Sequence, residues 1–398
     1  MNPDLKKLLP YPFERLAALK HGIIPPPHLS HIPLSIGEPK HQPPEFVLQT
    51  LSQHLDGAGT YPMAKGLPGL RQSISRWLTR RFMLGEASID PESQVIPVSG
   101  TREGLFAFAQ AVIDSSSNPL VVMPNPFYQI YEGAAFMAGA QPYYMNTLEA
   151  NGFLPNLDAI PTAVWKNCQL LYICTPGNPT GSVMDINYLK RLIDLSDQFD
   201  FIIASDECYS EIYLDETMPP PSLLKACKDI GRDDFKGCVV FHSLSKRSNI
   251  PGLRSGFVAG DADIISKYLL YRTYHGCAVP IPVQYASIAA WDEDQHVTDN
   301  RKIYQRKFSC VLQILKPVLD VYLPEAAFYL WPRTPISDEE FARGLFTNQN
   351  VTVLPGTYLS RRVSGGDPGE NRIRISLVAS IDDCIEAARR IRTYVESL

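Results

Sequence analysis

The sequence predicts an α/β protein in which helices cover a largely parallel sheet. Short apolar segments recur along the chain, and each is bounded by Gly, Pro, Asn, Asp or Ser residues. Such segments are typical of strands buried on both faces of a parallel sheet. Helical patterns separate most of them, and this alternation favours a layered domain with right-handed crossovers.

The predicted strands cover residues 95–98, 120–123, 170–174, 201–204 and 238–241. Helices are predicted between them, at 101–113, 128–137 and 186–199. An earlier helix is predicted at 70–82, because its apolar residues recur with the spacing of one helical face.

The pattern changes after Pro282. Helical stretches at 283–291 and 300–315 lead to short predicted strands near 327–331 and 372–377, and an amphipathic helix is predicted at 381–398. A chain of 398 residues also exceeds the usual size of one domain. We therefore predict a large α/β domain of residues 46–285. A smaller α+β domain combines residues 286–398 with an N-terminal arm, residues 1–45.

Prolines are frequent between Pro25 and Pro44, and they exclude a helix there because proline lacks the backbone N–H and restricts the residue before it. A disordered tail is one interpretation. We favour an extended arm that lies on the protein, because Ile32, Leu34 and Ile36 are interspersed with the prolines.

Composition excludes several classes of protein. The net charge of −5 provides no basic excess to neutralise nucleic-acid phosphates. The eight cysteines form no C-x-x-C pair, and no segment is long and apolar enough to span a membrane. The N-terminus does not resemble a signal peptide. We expect reduced thiols in a cytoplasmic protein with no resident metal.

Polar residues follow every predicted strand, at 99–104, 125–128, 175–181, 205–209 and 242–246. Ligands of parallel sheets bind at the carboxyl ends of the strands. If the sheet is parallel, these segments line one crevice.

Gly100 and Thr101 begin a helix directly after a strand, and free N–H groups at a helix N-terminus suit a phosphate. Ser243, Ser245 and Arg254 could complete the phosphate site. The alternative is an ordinary helix cap beside a surface arginine.

Lys246 and Asp206 each end a predicted buried strand. A desolvated lysine amine can attack a carbonyl and form a Schiff base, whereas most lysines are solvated surface residues. A buried aspartate needs a cationic or hydrogen-bonding partner, such as a protonated pyridine nitrogen. The alternative for Asp206 is a helix cap or a turn.

The chain resembles the fold-type I pyridoxal-phosphate enzymes, specifically the class I/II aminotransferases. Residues 243–256 resemble the family's lysine segment with its phosphate-binding arginine, and 178–181 and 206–209 resemble two further cofactor motifs in the family's order. Ser255 departs from the family's usual small apolar residue. The resemblance implies a mostly parallel seven-stranded sheet in the large domain, and pyridoxal 5′-phosphate as cofactor.

The resemblance also implies roles. Lys246 would form the Schiff base with the cofactor and move the proton at the substrate's α-carbon. Asp206 would keep the pyridine nitrogen protonated. Asn178 and Tyr209 would hydrogen-bond the ring oxygen O3′.

The phosphate would be held by six residues. They are Gly100, Thr101, Arg102, Ser243, Ser245 and Arg254. An aromatic ring should stack on the pyridine. Tyr128 is the better candidate for this contact and Phe127 is the alternative.

Substrate contacts follow from the same resemblance. Arg372 and Arg374 point to one face of a predicted strand, and alternation alone does not choose between them. The family's motif selects Arg374 as the residue that binds the α-carboxylate, with Gly37 and Asn178 beside the substrate. Tyr61 resembles the tyrosine that reaches the neighbouring subunit's phosphate, which implies a homodimer with shared active sites.

A narrower resemblance, to the N-succinyldiaminopimelate aminotransferases, rests on residues 9–16 and 34–41. It implies amino transfer between glutamate and N-succinyl-2-amino-6-oxopimelate in lysine biosynthesis. Lys40, His41, Arg102 and Arg247 are candidates for binding the distal groups. Other amino-acid specificities, a lyase on the same fold and a regulatory domain without catalysis are the alternatives.

Overall fold

A computed structural model describes residues 1–398 of the chain. The helices are α1 (Pro12–Leu19), α2 (Glu45–Gln53), α3 (Pro68–Phe82), α4 (Thr101–Val112), α5 (Gln129–Met137), α6 (Thr162–Asn167), α7 (Ile186–Phe199), α8 (Leu223–Asp229), α9 (Leu244–Arg247), α10 (Ala262–His275), α11 (Ile281–Asp292), α12 (Gln295–Leu315), α13 (Asp338–Gln349) and α14 (Ile381–Glu396). The strands are β1 (Ile32–Pro33), β2 (Val95–Val98), β3 (Leu120–Asn125), β4 (Gln141–Asn146), β5 (Cys168–Cys174), β6 (Ile202–Asp206), β7 (Cys238–Ser243), β8 (Gly256–Gly260), β9 (Tyr329–Leu330), β10 (Val351–Thr352), β11 (Leu354–Pro355) and β12 (Ile373–Ser376).

A seven-stranded sheet with the order β2-β8-β7-β6-β5-β3-β4 forms the centre of the molecule. Only β8 runs against its neighbours, and the other pairings are parallel. The predicted mostly parallel sheet is confirmed. The carboxyl ends of β2, β3, β5, β6 and β7 therefore lie along one edge.

Two strands of this sheet, β4 and β8, were not among the predicted segments. β4 is an edge strand of mostly half-exposed residues, so it lacks the uniformly apolar pattern of a buried strand. β8 begins and ends with glycine. A Cβ at Gly256 or Gly260 would overlap with carbonyl oxygens of β7, so backbone proximity explains these glycines.

Apolar clusters cover both faces of the sheet. One contains Trp77 of α3 and Trp291 of α11, and the other contains Phe108 of α4 and Tyr131 of α5. The predicted helices of this region agree with α3, α4, α5 and α7 to within two residues at each end. None of the helices combines the length and the apolar character needed to cross a bilayer.

A separate apolar cluster joins the N-terminal arm to α12, α13 and α14. In the arm, β1 pairs in parallel with β10, and Ile32 and Leu34 are buried. The extended, docked arm is confirmed. The predicted division at 285 falls inside α11, whose Ala290 and Trp291 pack beside the sheet. The domain boundaries therefore remain predictions.

Candidate active site

A cavity of about 370 Å³ opens at the carboxyl edge of the sheet. Strand ends of the sheet, the N-terminal arm, β9 and β12 all contribute to its wall. Most residues predicted for the site line this cavity. They are Gly37, Thr101, Arg102, Tyr128, Asn178, Asp206, Tyr209, Ser243, Ser245, Lys246, Arg254 and Arg374.

Lys246 lies in the short helix α9, directly after β7. The side chain of Ser243 caps this helix by accepting a hydrogen bond from the Ser245 N–H, at 3.1 Å. The Lys246 amine donates to the carbonyl of Gly37 in the arm. Burial lowers the pKa of Lys246 to about 8. Roughly a tenth of the amine is therefore uncharged, and hence nucleophilic, at pH 7, which is far more than for an ordinary lysine.

Asp206 ends β6 and is 5% exposed. Its Oδ2 accepts a hydrogen bond from the Tyr131 hydroxyl at 2.7 Å, and its Oδ1 accepts one from the Cys208 N–H at 3.3 Å. Burial raises the pKa of this carboxyl above its ordinary value, although these hydrogen bonds oppose the shift. No lysine or arginine pairs with it. A carboxylate in this environment is strongly stabilised by a cationic ligand group in the cavity.

The phosphate side of the cavity begins at Gly100, which caps the N-terminus of α4 with φ of 80°. A Cβ at Gly100 would overlap with the guanidinium of Arg254. The glycine thus lets the arginine approach the helix terminus. The hydroxyls of Ser243 and Ser245, 2.9 Å apart, face the same cavity. Hydroxyls, a guanidinium and a helix N-terminus form a donor set that suits a phosphate.

Arg374 and Arg372 have different surroundings. The Arg374 guanidinium donates to Asn178 Oδ1 at 3.0 Å and to the Ser35 carbonyl at 2.7 Å. Its buried Nε has no hydrogen-bond partner. Arg372 instead donates to the Trp331 carbonyl and to Glu149, outside the cavity. Only Arg374 can therefore meet a ligand in the cavity.

Tyr128 lines the cavity, whereas Phe127 does not. Phe127 is 1% exposed and packs against Tyr144, with ring centroids 5.3 Å apart, and beneath Arg361. Of the two aromatic candidates for stacking on a ligand, only Tyr128 is available.

Tyr61 lies outside the cavity and is 99% exposed in the single chain. An aromatic ring with no contact in its own subunit is available to a second copy of the chain. Its role at a dimer interface remains a prediction.

Three candidates for binding the distal groups of a substrate lie outside the cavity. Lys40 is exposed and pairs with Glu38, and His41 hydrogen-bonds Asn300. Arg247 is buried and bonds to Asp294 and to backbone carbonyls. None of the three lines the cavity, so the structure gives this role no support and it remains a prediction.

Arg102 is the remaining candidate. It lines the cavity and has no hydrogen-bonding or ion-pair partner, and its guanidinium lies 5.1 Å from the ring centroid of Tyr11. Tyr11 and Phe13, from the start of α1, form the neighbouring wall. Its cation is free to bind a substrate carboxylate.

Two tyrosines of the site were missed from the sequence. Tyr131, which donates to Asp206, lies in the first turn of α5, which follows the N-cap residue Tyr128. Tyr329 lies in the two-residue strand β9, where nothing in the local sequence indicates a site.

Gly100→Ala should weaken binding of pyridoxal phosphate, the cofactor implied by the sequence, by about tenfold or more. The added methyl group displaces Arg254, and a charged hydrogen bond is worth about 1.5–3 kcal/mol. Gly22→Ala is the matched control, because Gly22 also has positive φ but no atom lies within 4 Å of the position that its Cβ would occupy. The measurement is the dissociation constant of the cofactor together with the melting temperature. Equal affinity in both variants would exclude this contact.

Comparisons with known proteins agree with this geometry. Residues 30–391 match the model of the family described as aminotransferase class I and II. An LL-diaminopimelate aminotransferase of Nitratidesulfovibrio vulgaris is 33% identical over 368 residues, which cover 90% of each chain. A crystal structure of an aminotransferase from Neisseria meningitidis is 48% identical, covers 99% of each chain and has a TM-score of 0.94. A probable N-succinyldiaminopimelate aminotransferase from Thermus thermophilus is 26% identical, with 96% of this chain and 100% of that chain covered and a TM-score of 0.85. The chain therefore belongs to the class I and II aminotransferases.

Proposed function

We propose that this aminotransferase uses pyridoxal phosphate to move an amino group between glutamate and N-succinyl-2-amino-6-oxopimelate, giving N-succinyl-LL-diaminopimelate in bacterial lysine biosynthesis. One observation carries the cofactor part of this proposal. A lysine with a lowered pKa and a buried carboxylate with no lysine or arginine partner line the same cavity. Pyridoxal phosphate complements both groups, with its carbonyl and its basic ring nitrogen.

The residues of the cavity match the parts of this cofactor. Arg254, Ser243, Ser245 and the start of α4 would hold the phosphate, and Tyr128 would stack on the ring. Asp206 would pair with the ring nitrogen, and Asn178 and Tyr209 would contact the ring oxygen. When bound, the cofactor supplies a carbonyl that accepts the amino group and a ring that withdraws electrons from the substrate's α-carbon.

The chain's own side chains would provide the acid–base chemistry and the positioning. Lys246 takes the proton from the substrate's α-carbon and returns it, a task favoured by its pKa of about 8. Asp206 holds a proton on the ring nitrogen through a buried charge pair. Arg374 binds the α-carboxylate with two N–H groups, in the bidentate geometry typical of arginine.

Arg374 serves both substrates of a transaminase, since both have an α-carboxylate. Discrimination must therefore come from groups that meet the rest of the substrate. Arg102 is the free cation of the cavity and is proposed to bind a distal carboxylate. The narrower substrate is supported by the name of the Thermus relative and by the resemblance of the N-terminal segment.

A second candidate is transamination of LL-diaminopimelate itself, which the name of the Nitratidesulfovibrio relative favours. The two candidates share a carbon skeleton and differ in whether the distal amino group carries a succinyl group. Transamination of aspartate, an aromatic amino acid or alanine, and a lyase reaction, use the same cofactor contacts.

Borohydride should fix pyridoxal phosphate to a peptide that contains Lys246. The rate of attachment to the cofactor-free protein should rise with pH through about 8, because only the uncharged amine attacks a carbonyl. Peptide mass mapping and stopped-flow absorbance make the two measurements. Lys246→Ala should lose the label, and Lys267→Ala, a change at an exposed lysine of α10, should keep it. A label on another lysine, or no chromophore after cofactor is added, would refute the cofactor proposal.

In the reverse direction, the catalytic efficiency should be higher for N-succinyl-LL-diaminopimelate than for LL-diaminopimelate, aspartate, phenylalanine or alanine. Arg102→Gln should lower this efficiency by about ten- to a hundredfold for the succinylated substrate, which loses a charged hydrogen bond, and little for alanine. Lys40→Gln is the control, because Lys40 lies outside the cavity.

A higher efficiency with LL-diaminopimelate would select the second candidate, and one with aspartate or phenylalanine would reject both. Equal losses for the succinylated substrate and alanine in Arg102→Gln would remove Arg102 from distal recognition.

Mixed dimers test the proposed shared active sites. Tyr61→Ala and Lys246→Ala should each be nearly inactive alone, the first through weakened cofactor binding. If Tyr61 reaches the partner's phosphate, a mixed dimer contains one site with both residues, and mixing should restore part of the activity. The measurement is activity after subunit exchange, with exchange verified by mass on differently tagged subunits. Complete exchange without recovery would show that Tyr61 does not act across an interface.

A further inference from the structure

Tyr329 joins two parts of the site that the sequence motifs treat separately. Its side chain is 2% exposed and lines the cavity from β9. Its hydroxyl oxygen lies 2.8 Å from that of Tyr209, and the Arg374 guanidinium lies 4.6 Å from its ring centroid. One side chain therefore contacts the proposed partner of the cofactor's ring oxygen and the proposed partner of the substrate's carboxylate.

We propose that Tyr329 is a positioning residue with two separable functions, the hydroxyl acting on Tyr209 and the ring acting on Arg374. This inference rests on the proposed function, which gives Tyr209 and Arg374 their ligands.

The hydroxyl function follows from counting donors. A phenol has one hydrogen to donate, so when Tyr209 donates to the cofactor's ring oxygen, its own oxygen can only accept. Tyr329 is then the donor of the 2.8 Å contact between the two hydroxyls. Hydrogen bonds in such a chain polarise one another, so donation from Tyr329 makes Tyr209 a stronger donor.

The charged and titratable groups around these hydroxyls come from three other strands. They are Arg374 of β12, Cys174 of β5 and Asp206 of β6. Tyr329→Phe leaves each of these groups in place. A change in the cofactor's titration in that variant is therefore attributable to the hydroxyl.

The ring function follows from the surroundings of Arg374. The buried guanidinium donates to Asn178 and to the Ser35 carbonyl, and the Tyr329 ring, with its centroid 4.6 Å away, is a further contact that orients it. A cation over an aromatic ring is stabilised by the ring quadrupole, more so where water is excluded. Phenylalanine preserves this contact and leucine removes it.

Gly37 allows this arrangement. A Cβ at Gly37 would overlap with the Tyr329 hydroxyl, and the Gly37 carbonyl accepts a hydrogen bond from Lys246. The arm therefore lies directly against Tyr329 while contacting the lysine. Any larger residue at position 37 would push Tyr329 away from Tyr209.

The experiment compares Tyr329→Phe and Tyr329→Leu with the wild-type protein, all loaded with cofactor and without amino donor. The first readout is the pH midpoint of the cofactor's visible absorption. The second is the dissociation constant for 2-oxoglutarate, measured calorimetrically. Tyr304→Phe is the matched control, because Tyr304 is a buried tyrosine of the same apolar cluster whose hydroxyl has no partner.

In Tyr329→Phe the midpoint should rise by about half a pH unit or more, because weaker donation from Tyr209 leaves more negative charge on the ring oxygen and favours the protonated chromophore. Its affinity for 2-oxoglutarate should stay within about twofold of wild type, since Arg374 keeps an aromatic face. Tyr329→Leu should show the same rise and lose about three- to tenfold in affinity. Tyr304→Phe should match wild type in both.

An unshifted midpoint in Tyr329→Phe, with the wild-type chromophore attached to Lys246, would overturn the inference and leave the proposed function intact. Equal losses of affinity in both Tyr329 variants would overturn the assignment of Arg374 to the ring. A wild-type protein without a chromophore would overturn the proposed function and the inference together. If Tyr329→Leu does not fold, Tyr329→Phe alone decides the hydroxyl function.

Discussion

The site depends on the shared direction of the strands β3, β5, β6 and β7. Because neighbouring parallel strands end at the same edge, Tyr128, Asn178, Asp206 and Lys246 meet although more than a hundred residues separate the first from the last. Asp206 ends β6 itself, and the other three residues lie within a few positions of the ends of β3, β5 and β7, so the buried strands position all four. Antiparallel pairing at any of these strands would remove a residue from the cavity. The one reversed strand, β8, lies between β2 and β7, and it still delivers Arg254 from its preceding turn.

The cavity brings together two ionisable groups whose burial disfavours their charged forms. Burial raises the pKa of Asp206 and lowers the pKa of Lys246, so both groups are shifted toward their neutral forms. A protonated ring nitrogen on a ligand would offset the cost of burying the Asp206 carboxylate, and a ligand carbonyl could react with the uncharged amine of Lys246. The hydrogen-bond donors around Gly100 form an anion-binding region in the same cavity. The electrostatics of the protein alone therefore favour a ligand that combines these three features.

The sequence was most informative where function depends on local pattern. Buried strands are uniformly apolar, so their ends could be located, and the residues after them proved to line the cavity. Residues in the second half of the chain were harder, because alternation places Arg372 and Arg374 on one face of a strand and only the family's motif selects Arg374. The structure supports that choice, since Arg372 bonds to Glu149 outside the cavity. Lys40 and His41, which do not line the cavity, illustrate a related difficulty. Proximity in sequence to a motif does not determine the direction of a side chain, and Glu38 and Asn300 hold these two outside the cavity.

The proposed function leaves one wall of the cavity to distinguish between substrates. In the proposed function, Arg374 binds the part that all substrates share, and the sheet edge holds the cofactor. The wall that remains is the start of α1, with Tyr11 and Phe13, and the first turn of α4, with Arg102. The Tyr11 ring centroid lies 5.1 Å from the Arg102 guanidinium, so the N-terminal segment contacts the cation that is proposed to bind a distal carboxylate. A change in the N-terminal segment would therefore alter substrate preference without touching a cofactor contact.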